Sequence, residues 1–357
     1  MATHLEIDGT KFRINGEFTY PGRQYKGSTV EGKLFNSRMI QAIFDDHCEE
    51  TRKLWAYPDT GIWDPERNTD EFCAMLPVYH KYGLRAVTVG LQGGGSNYTP
   101  KIYESYQNSA FRDDGSLDPT YLARLERILK AADACGMVVI VSYFYCAQLD
   151  VCKSEEQVVG MLQAATEWLL KTGYRNLIAE PINEARDETG PFFRTDQIAK
   201  RLQQMKSVTL DGRRLLVGSS PFPDQRVATE AWLDEEDVSL IHTNGSMPYQ
   251  VAPIVRKWKE SASFKARPRP LVINEDSPMV DNLEMALEED VSWGFYHQGF
   301  GSDYPYDLIN WTHHEREKEI KHLTGYQTLP VNWSINDPWK RAFFQLVARI
   351  TGSSTVL

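Results

Sequence analysis

This 357-residue chain lacks several common features, and each absence removes a class of explanation. Its five cysteines, Cys48, Cys73, Cys135, Cys146 and Cys152, are an odd set with no C-x-x-C spacing. That argues against a disulfide framework and against a zinc site. There is no basic run, and the formal net charge is −10, so a nucleic-acid partner is not expected. No apolar stretch approaches the roughly 20 residues that span a bilayer, so no membrane partner is expected either. The opening M-A-T-H-L-E-I-D-G-T has no basic n-region and no apolar h-region, which leads to the expectation of a cytoplasmic protein, or a secreted one if a leader has been removed. Gly93-Gly94-Gly95 lacks both the lysine of a P-loop and the spacing of a dinucleotide fingerprint, so no cofactor is expected. No low-complexity linker interrupts the chain, and residues 1–357 read as one domain.

What is present is an alternation of short β-branched runs with amphipathic stretches. L-E-I-D-G-T-K-F-R-I, near the start, reads as a β-hairpin around Asp8-Gly9, placed to plug or flank the bottom of a barrel. Strand expectations then fall at 18–25, 85–92, 137–145, 176–184, 214–219, 238–244, 269–275 and 292–298. Helices are expected at 37–54, 119–135, 155–172, 195–210, 249–261, 281–291 and 337–350, among others. In the helix at 119–135, Tyr121, Leu122, Leu125, Ile128, Leu129 and Ala132 share one face. Eight strands alternating with helices call for a parallel sheet with helices outside it. Without a phosphate fingerprint to favour an open doubly wound sheet, the expected fold class is α/β, a (β/α)8 TIM barrel with a short N-terminal β-hairpin and long rim loops.

Two of these strands end alike. N-L-I-A-E-P-I-N-E closes on Asn183-Glu184, and P-L-V-I-N-E closes on Asn274-Glu275. In a barrel the C-terminal ends of all strands meet at one rim, so 91 residues of sequence separation, 275 − 184, do not keep the two glutamates apart. A carboxylic acid and a carboxylate about 5 to 5.5 Å apart are the machinery of retaining glycoside cleavage, in which one donates a proton and the other attacks. Proximity itself pushes their pKa values apart. Glu180 competes with Glu184, but a charge in mid-strand is costly unless paired, and Glu184 is preferred.

The same strand-end logic nominates pocket residues: Arg23 from strand one, Gln92 from strand two, Tyr143 and Tyr145 from strand three, His242 and Asn244 from strand six, and His297 from strand eight. Trp311, with Trp63 and Trp333, could stack on sugar faces. A structural role competes at each position. His313-His314 are adjacent and do not face one another, so no metal is expected.

Strands four and seven ending in Asn-Glu and Glu resemble the clan A retaining glycoside hydrolases, and most nearly family 5, the cellulase-like family. F-R-I-N-G-E-F at 12–18 is similar to the strand pair that precedes the barrel in those enzymes. The resemblance implies that Glu184 is the acid/base, Asn183 binds the substrate 2-hydroxyl and Glu275 is the nucleophile. The chain departs from the family pattern at three places: Gln92 stands where strand two usually ends in arginine, Tyr143-Phe144-Tyr145 replaces the usual histidine on strand three, and Trp293 begins strand eight rather than ending it. These departures leave the sugar unassigned. The expected partner is an oligosaccharide or glycoside, with the oligomeric state open. Two alternatives stay in view: a non-catalytic carbohydrate-binding barrel, and a metal-dependent hydrolase on the same fold.

Overall fold

In a computed structural model, residues 2–95, 106–188, 190–223, 228–298 and 324–354 are described. The chain begins with an antiparallel hairpin, β1 (Leu5–Asp8) and β2 (Lys11–Ile14), extended by β3 (Glu17–Phe18). A second small hairpin, β4 (Gln24–Tyr25) with β5 (Ser28–Thr29), follows. The barrel strands come next: β6 (Asn36–Arg38), β7 (Ala86–Gly90), β8 (Val138–Tyr145), β9 (Leu177–Asn183), β10 (Leu216–Val217), β11 (Ser239–His242), β12 (Leu271–Glu275) and β13 (Gly294–Phe295).

Hydrogen bonding joins these eight strands into a ring. Six lie side by side in the order β10-β9-β8-β7-β6-β13, with every pairing parallel, and β11 pairs in parallel with β12. The two remaining seams are closed by short contacts. Val217 O accepts from the amides of Asp237 and Val238, while Val272 bridges to Ser292. Helices fill the connections, among them Pro65–Lys81, Pro119–Cys135, Glu155–Lys171, Ile198–Ser207, Pro248–Lys259, Asp281–Glu288 and Pro338–Thr351. Three of them start in the same way. Asp64-Pro65, Asp118-Pro119 and Asp337-Pro338 each put a carboxylate on free first-turn amides and a proline where no amide hydrogen is needed. No described helix is long and apolar enough to cross a membrane.

Side chains along a strand point alternately to its two faces, and the core divides accordingly. Phe35, Val87, Val89, Val139, Val141, Ala179, Val217, Ile241, Ile273 and Phe295 belong to the large cluster between sheet and helices. Leu34, Ala86, Val138, Ile140, Ile178, Val238, Leu240 and Val272 form a second cluster together with Leu5 and Phe12 of the first hairpin. The hairpin therefore plugs the base of the barrel, as its position in the sequence led one to expect.

The first barrel strand is a correction. Residues 18–25 do not enter the barrel, and the segment expected as a helix over 37–54 contains β6 and then only short turns, 40–43, 49–52 and 53–55. Residues 33–46 are buried throughout, so neither a 2-residue nor a 3.6-residue hydrophobic period is visible there.

Candidate active site

Two backbone irregularities aim the glutamates. Glu184 follows the last residue of β9 with a positive φ of 63°, a left-handed conformation uncommon outside glycine. On β12 the register slips: Ile241 faces Ile273, but His242 faces Glu275, so Asn274 is the extra residue of a bulge. One extra residue reverses the alternation, and Glu275 turns to the barrel interior instead of following Ile273 outward.

Around them the rim is dense with polar contacts. Glu275 Oε2 lies 2.7 Å from Arg38 Nε, and its Oε1 accepts a hydrogen bond from Asn244 Nδ2 at 2.9 Å. His242 Nδ1 is 3.2 Å from Glu184 Oε1 and 3.6 Å from Glu275 Oε2. A ring proton on Nδ1 would lie between the two carboxyl groups. Burial pushes the His242 pKa down to about 4, against the pull of Glu275, so at neutral pH the ring is uncharged. Burial also raises the pKa of Glu275, opposed by the charge of Arg38. Glu184 Oε2 lies 3.9 Å from Cys146 Sγ, immediately after β8. One ligand-type atom from each of Glu184, His242 and Glu275 falls within 4.8 Å of the others.

Below this pair sits Glu180, fully buried, with Oε1 accepting from Ser220 Oγ at 2.5 Å and Ser220 N at 3.1 Å. Burial works against the charge of Arg38, but Glu275 first and Glu180 second more than offset it and raise the pKa of the guanidinium. Tyr296 is buried close enough to Glu275 and Arg38 that both charges act on its hydroxyl, whose pKa burial raises.

Of the residues nominated from sequence, the structure brings together Glu184, Glu275, Asn183, His242 and Asn244. Asn183 ends β9 beside Glu184, and its Oδ1 has no hydrogen-bond partner among the described residues. Four others stand elsewhere or do other work. Arg23 donates to the carbonyls of Ile350 and Arg349 at 2.7 Å each and caps the last helix, away from the rim. Tyr143 turns outward to Thr166 on the surrounding helix, 3.2 Å away. His297 bonds Asp337 at 3.2 Å beneath the start of the last helix. Gln92 accepts from Tyr145 N and donates to Ser109 Oγ, which pins two strand ends together. Tyr145 is half-buried at the rim and covers Gly93, where an added Cβ would lie 3.0 Å from its ring. Trp63 and Trp333 are buried and donate to Asp45 and Asn68. Trp311 and His313-His314 lie outside the described residues.

Sequence reasoning missed Arg38 and set Glu180 aside. The available signal was the polar Asn36-Ser37-Arg38 inside the apolar run L-F-N-S-R-M-I. A polar trio between buried apolar residues marks a strand that rises into a polar site.

No family model and no curated sequence matches the chain. Solved structures do resemble it in fold. One, from Bacteroides vulgatus and provisionally described as a glycoside hydrolase, superposes with a TM-score of 0.58 at 12% identity over 98% of this chain and 61% of the other, so this chain spans about three fifths of that protein. The endo-1,4-β-mannanase of Rhizomucor miehei gives 0.57 at 11% identity, covering 98% of this chain and 100% of the mannanase. A family 5 glycoside hydrolase of Prevotella bryantii, solved with a xyloglucan tetradecasaccharide, gives 0.51 at 11% over 88% and 95%. The fold is that of the family 5 glycoside hydrolase barrels.

Proposed function

We propose that the chain is a retaining β-glycosidase acting on an oligosaccharide or glycoside. The observation that carries this reading is a carboxylate pair with unequal neighbours: Glu275 is paired with Arg38 at 2.7 Å, whereas Glu184 meets an uncharged imidazole and a thiol. Burial raises the pKa of Glu275, and the charge of Arg38 works against that rise, supporting the carboxylate that a nucleophile needs. Glu184, which is not the direct partner of Arg38 Nε, is the carboxyl left to give up a proton. Carboxylate oxygens within 4.8 Å of each other suit direct attack rather than the wider gap in which a water must fit.

In the first step a Glu275 oxygen attacks the anomeric carbon while the Glu184 proton passes to the leaving oxygen. The glycosidic bond breaks and a glycosyl ester forms. In the second step Glu184, now a carboxylate, takes a proton from water as that water attacks the same carbon and the ester is released. Asn183, with its unpaired Oδ1, is placed to accept from a sugar hydroxyl beside the reacting carbon. Asn244 and Arg38 hold the nucleophile.

A metal reading rests on the same three side chains, Glu184, His242 and Glu275. Arg38 counts against it: a guanidinium bonded to one of the three donors adds positive charge where a cation would have to sit.

The test is turnover of aryl β-glycosides, with mannosides, glucosides and xylosides in the panel because mannanases and a xyloglucan-binding enzyme share the fold. Glu275→Ala is expected to lose roughly 10⁴-fold or more in kcat, on the scale of removing a nucleophile, and azide is expected to restore turnover with an inverted glycosyl azide. A wild-type protein that cleaves no glycoside, or a Glu275→Ala protein as active as wild type, overturns the reading.

A further inference from the structure

The proposed mechanism gives no role to Cys146, although this thiol touches the acid/base carboxyl. We propose that Cys146 is a positioning residue for Glu184, its S–H donating to Oε2 while His242 holds Oε1, so that the carboxyl plane is fixed facing the leaving oxygen. The inference rests on the acid/base role given to Glu184 above.

The geometry supports it in three ways. Cys146 immediately follows β8, whose last residue, Tyr145, pairs in register with Asn183, the neighbour of Glu184. The two side chains are therefore brought together by strand pairing and not by a mobile loop. The contact is 3.9 Å, at the long end of the range for a weak sulfur donor. Both groups are almost fully buried, Cys146 at 9% and Glu184 at 8% exposure, so water does not replace the contact.

The choice of a thiol has a chemical consequence. A thiol is a weak donor and can orient Oε2 while leaving the acid protonated. It also stays a thiol: burial, then the charge of Glu184, pushes its pKa up to about 12, with Arg186 opposing. The charged and titratable groups around the contact are Glu184 and Arg186 from the strand-four end, Glu275 from β12, His242 from β11 and Arg38 from β6. Among them His242 is neutral near pH 7.

Cys146→Ala and Cys146→Ser, assayed on two kinds of substrate, separate positioning from mere packing. With a dinitrophenyl leaving group, bond cleavage needs little acid help. With an alkyl or sugar leaving group it needs the proton. Cys146→Ala is expected to lose roughly ten-fold in kcat/KM on the second kind and under about two-fold on the first, with the alkaline limb of its pH profile displaced. Cys146→Ser, which keeps a donor, is expected to recover most of the loss. An equal loss on both substrates, or serine no better than alanine, overturns the proposal.

A second arm needs no substrate. If the contact exists, neutralising Glu184 must make the thiol more acidic. Methyl methanethiosulfonate labelling of Cys146, followed by mass spectrometry between pH 7 and 10 on the whole protein, is expected to be about three-fold or more faster in Glu184→Gln than in wild type. Equal rates overturn the contact itself. Because this arm does not depend on catalysis, failure of the glycosidase reading and failure of the Cys146 contact give different results.

Discussion

The interior of the barrel changes character within two residues along each strand. Leu34 on the approach to β6, Val138 and Ile140 on β8, Ile178 on β9, Leu240 on β11 and Val272 on β12 pack with Leu5 and Phe12 of the plug. Two residues farther along these strands stand Asn36, Ser142, Glu180, His242 and Asn274, with Arg38 beyond Asn36, all buried. The lower layer gains free energy by leaving water, at about 25 cal/mol per Å² of apolar surface. The upper layer costs free energy, because buried ions are repaid only in part by their partners. The same strands therefore carry a stabilising half and a reactive half, and the first offsets the second. This contrast explains why the hairpin is placed beneath the barrel: the end opposite the site can be sealed with apolar side chains at no chemical cost.

The contrast can be broken from either side. Arg38→Met is expected to have the largest effect in the upper layer, losing roughly 10²–10³ in kcat/KM, the scale for an electrostatic group beside the reacting charge. It is also expected to cost about 3–5 kcal/mol of stability through uncompensated buried carboxylates. Steady-state assay and denaturant unfolding check both values, and an active variant of wild-type stability would remove Arg38 from the site. Phe12→Ala addresses the lower layer. It is expected to cost about 3–5 kcal/mol while kcat/KM stays within about two-fold at temperatures where the protein is folded. Lost activity in a folded Phe12→Ala protein would show that the two halves are not separable.

A smaller effect is expected at Glu180, which takes part in the electrostatics of Arg38 and is not assigned a bond-making role. Glu180→Gln keeps an acceptor for Ser220 but takes one carboxylate away from the buried Arg38, so it is expected to cost less than the ~3–5 kcal/mol of removing Arg38 itself and to lose less than about ten-fold in kcat. A loss on the scale of Glu275→Ala would make Glu180 a reacting group. A further effect, read through pH, concerns His242. Its pKa in the fold is pushed from 6.5 down to about 4, so below the unfolded value the unfolded chain binds the extra proton first. Stability from this residue is present above pH 6.5 and lost as pH falls towards about 4. Unfolding of wild type and of His242→Gln across that window is expected to diverge in this direction, the variant being the less pH-sensitive. Parallel curves would place a charged imidazole in the fold.

Much of the site was legible because strand ends in a barrel converge. Glu184, Glu275, Asn183, His242 and Asn244 were found by that rule and do cluster. The same rule nominated Arg23, Tyr143 and His297, and it failed for two physical reasons. Arg23 belongs to a hairpin that resembles a strand in composition but lies outside the ring and caps a helix. Tyr143 and His297 stand at correct heights but turn to Thr166 and Asp337. A strand buried on both faces has no hydrophobic alternation from which to read direction. Arg38 was hidden for the related reason that its whole neighbourhood, 33–46, is buried.

The sequence by itself determined the alternation of strands and helices, the plug at the start and the two strands that deliver glutamates. These depend on period, turn chemistry and chain order, which are local properties. Only the tertiary structure decided which way each rim side chain points. The left-handed turn at Glu184 and the bulge at Asn274 invert the local alternation. They hold because neighbouring strands, the Arg38 ion pair and the packed helices over-determine them, and no window of a few residues contains those partners.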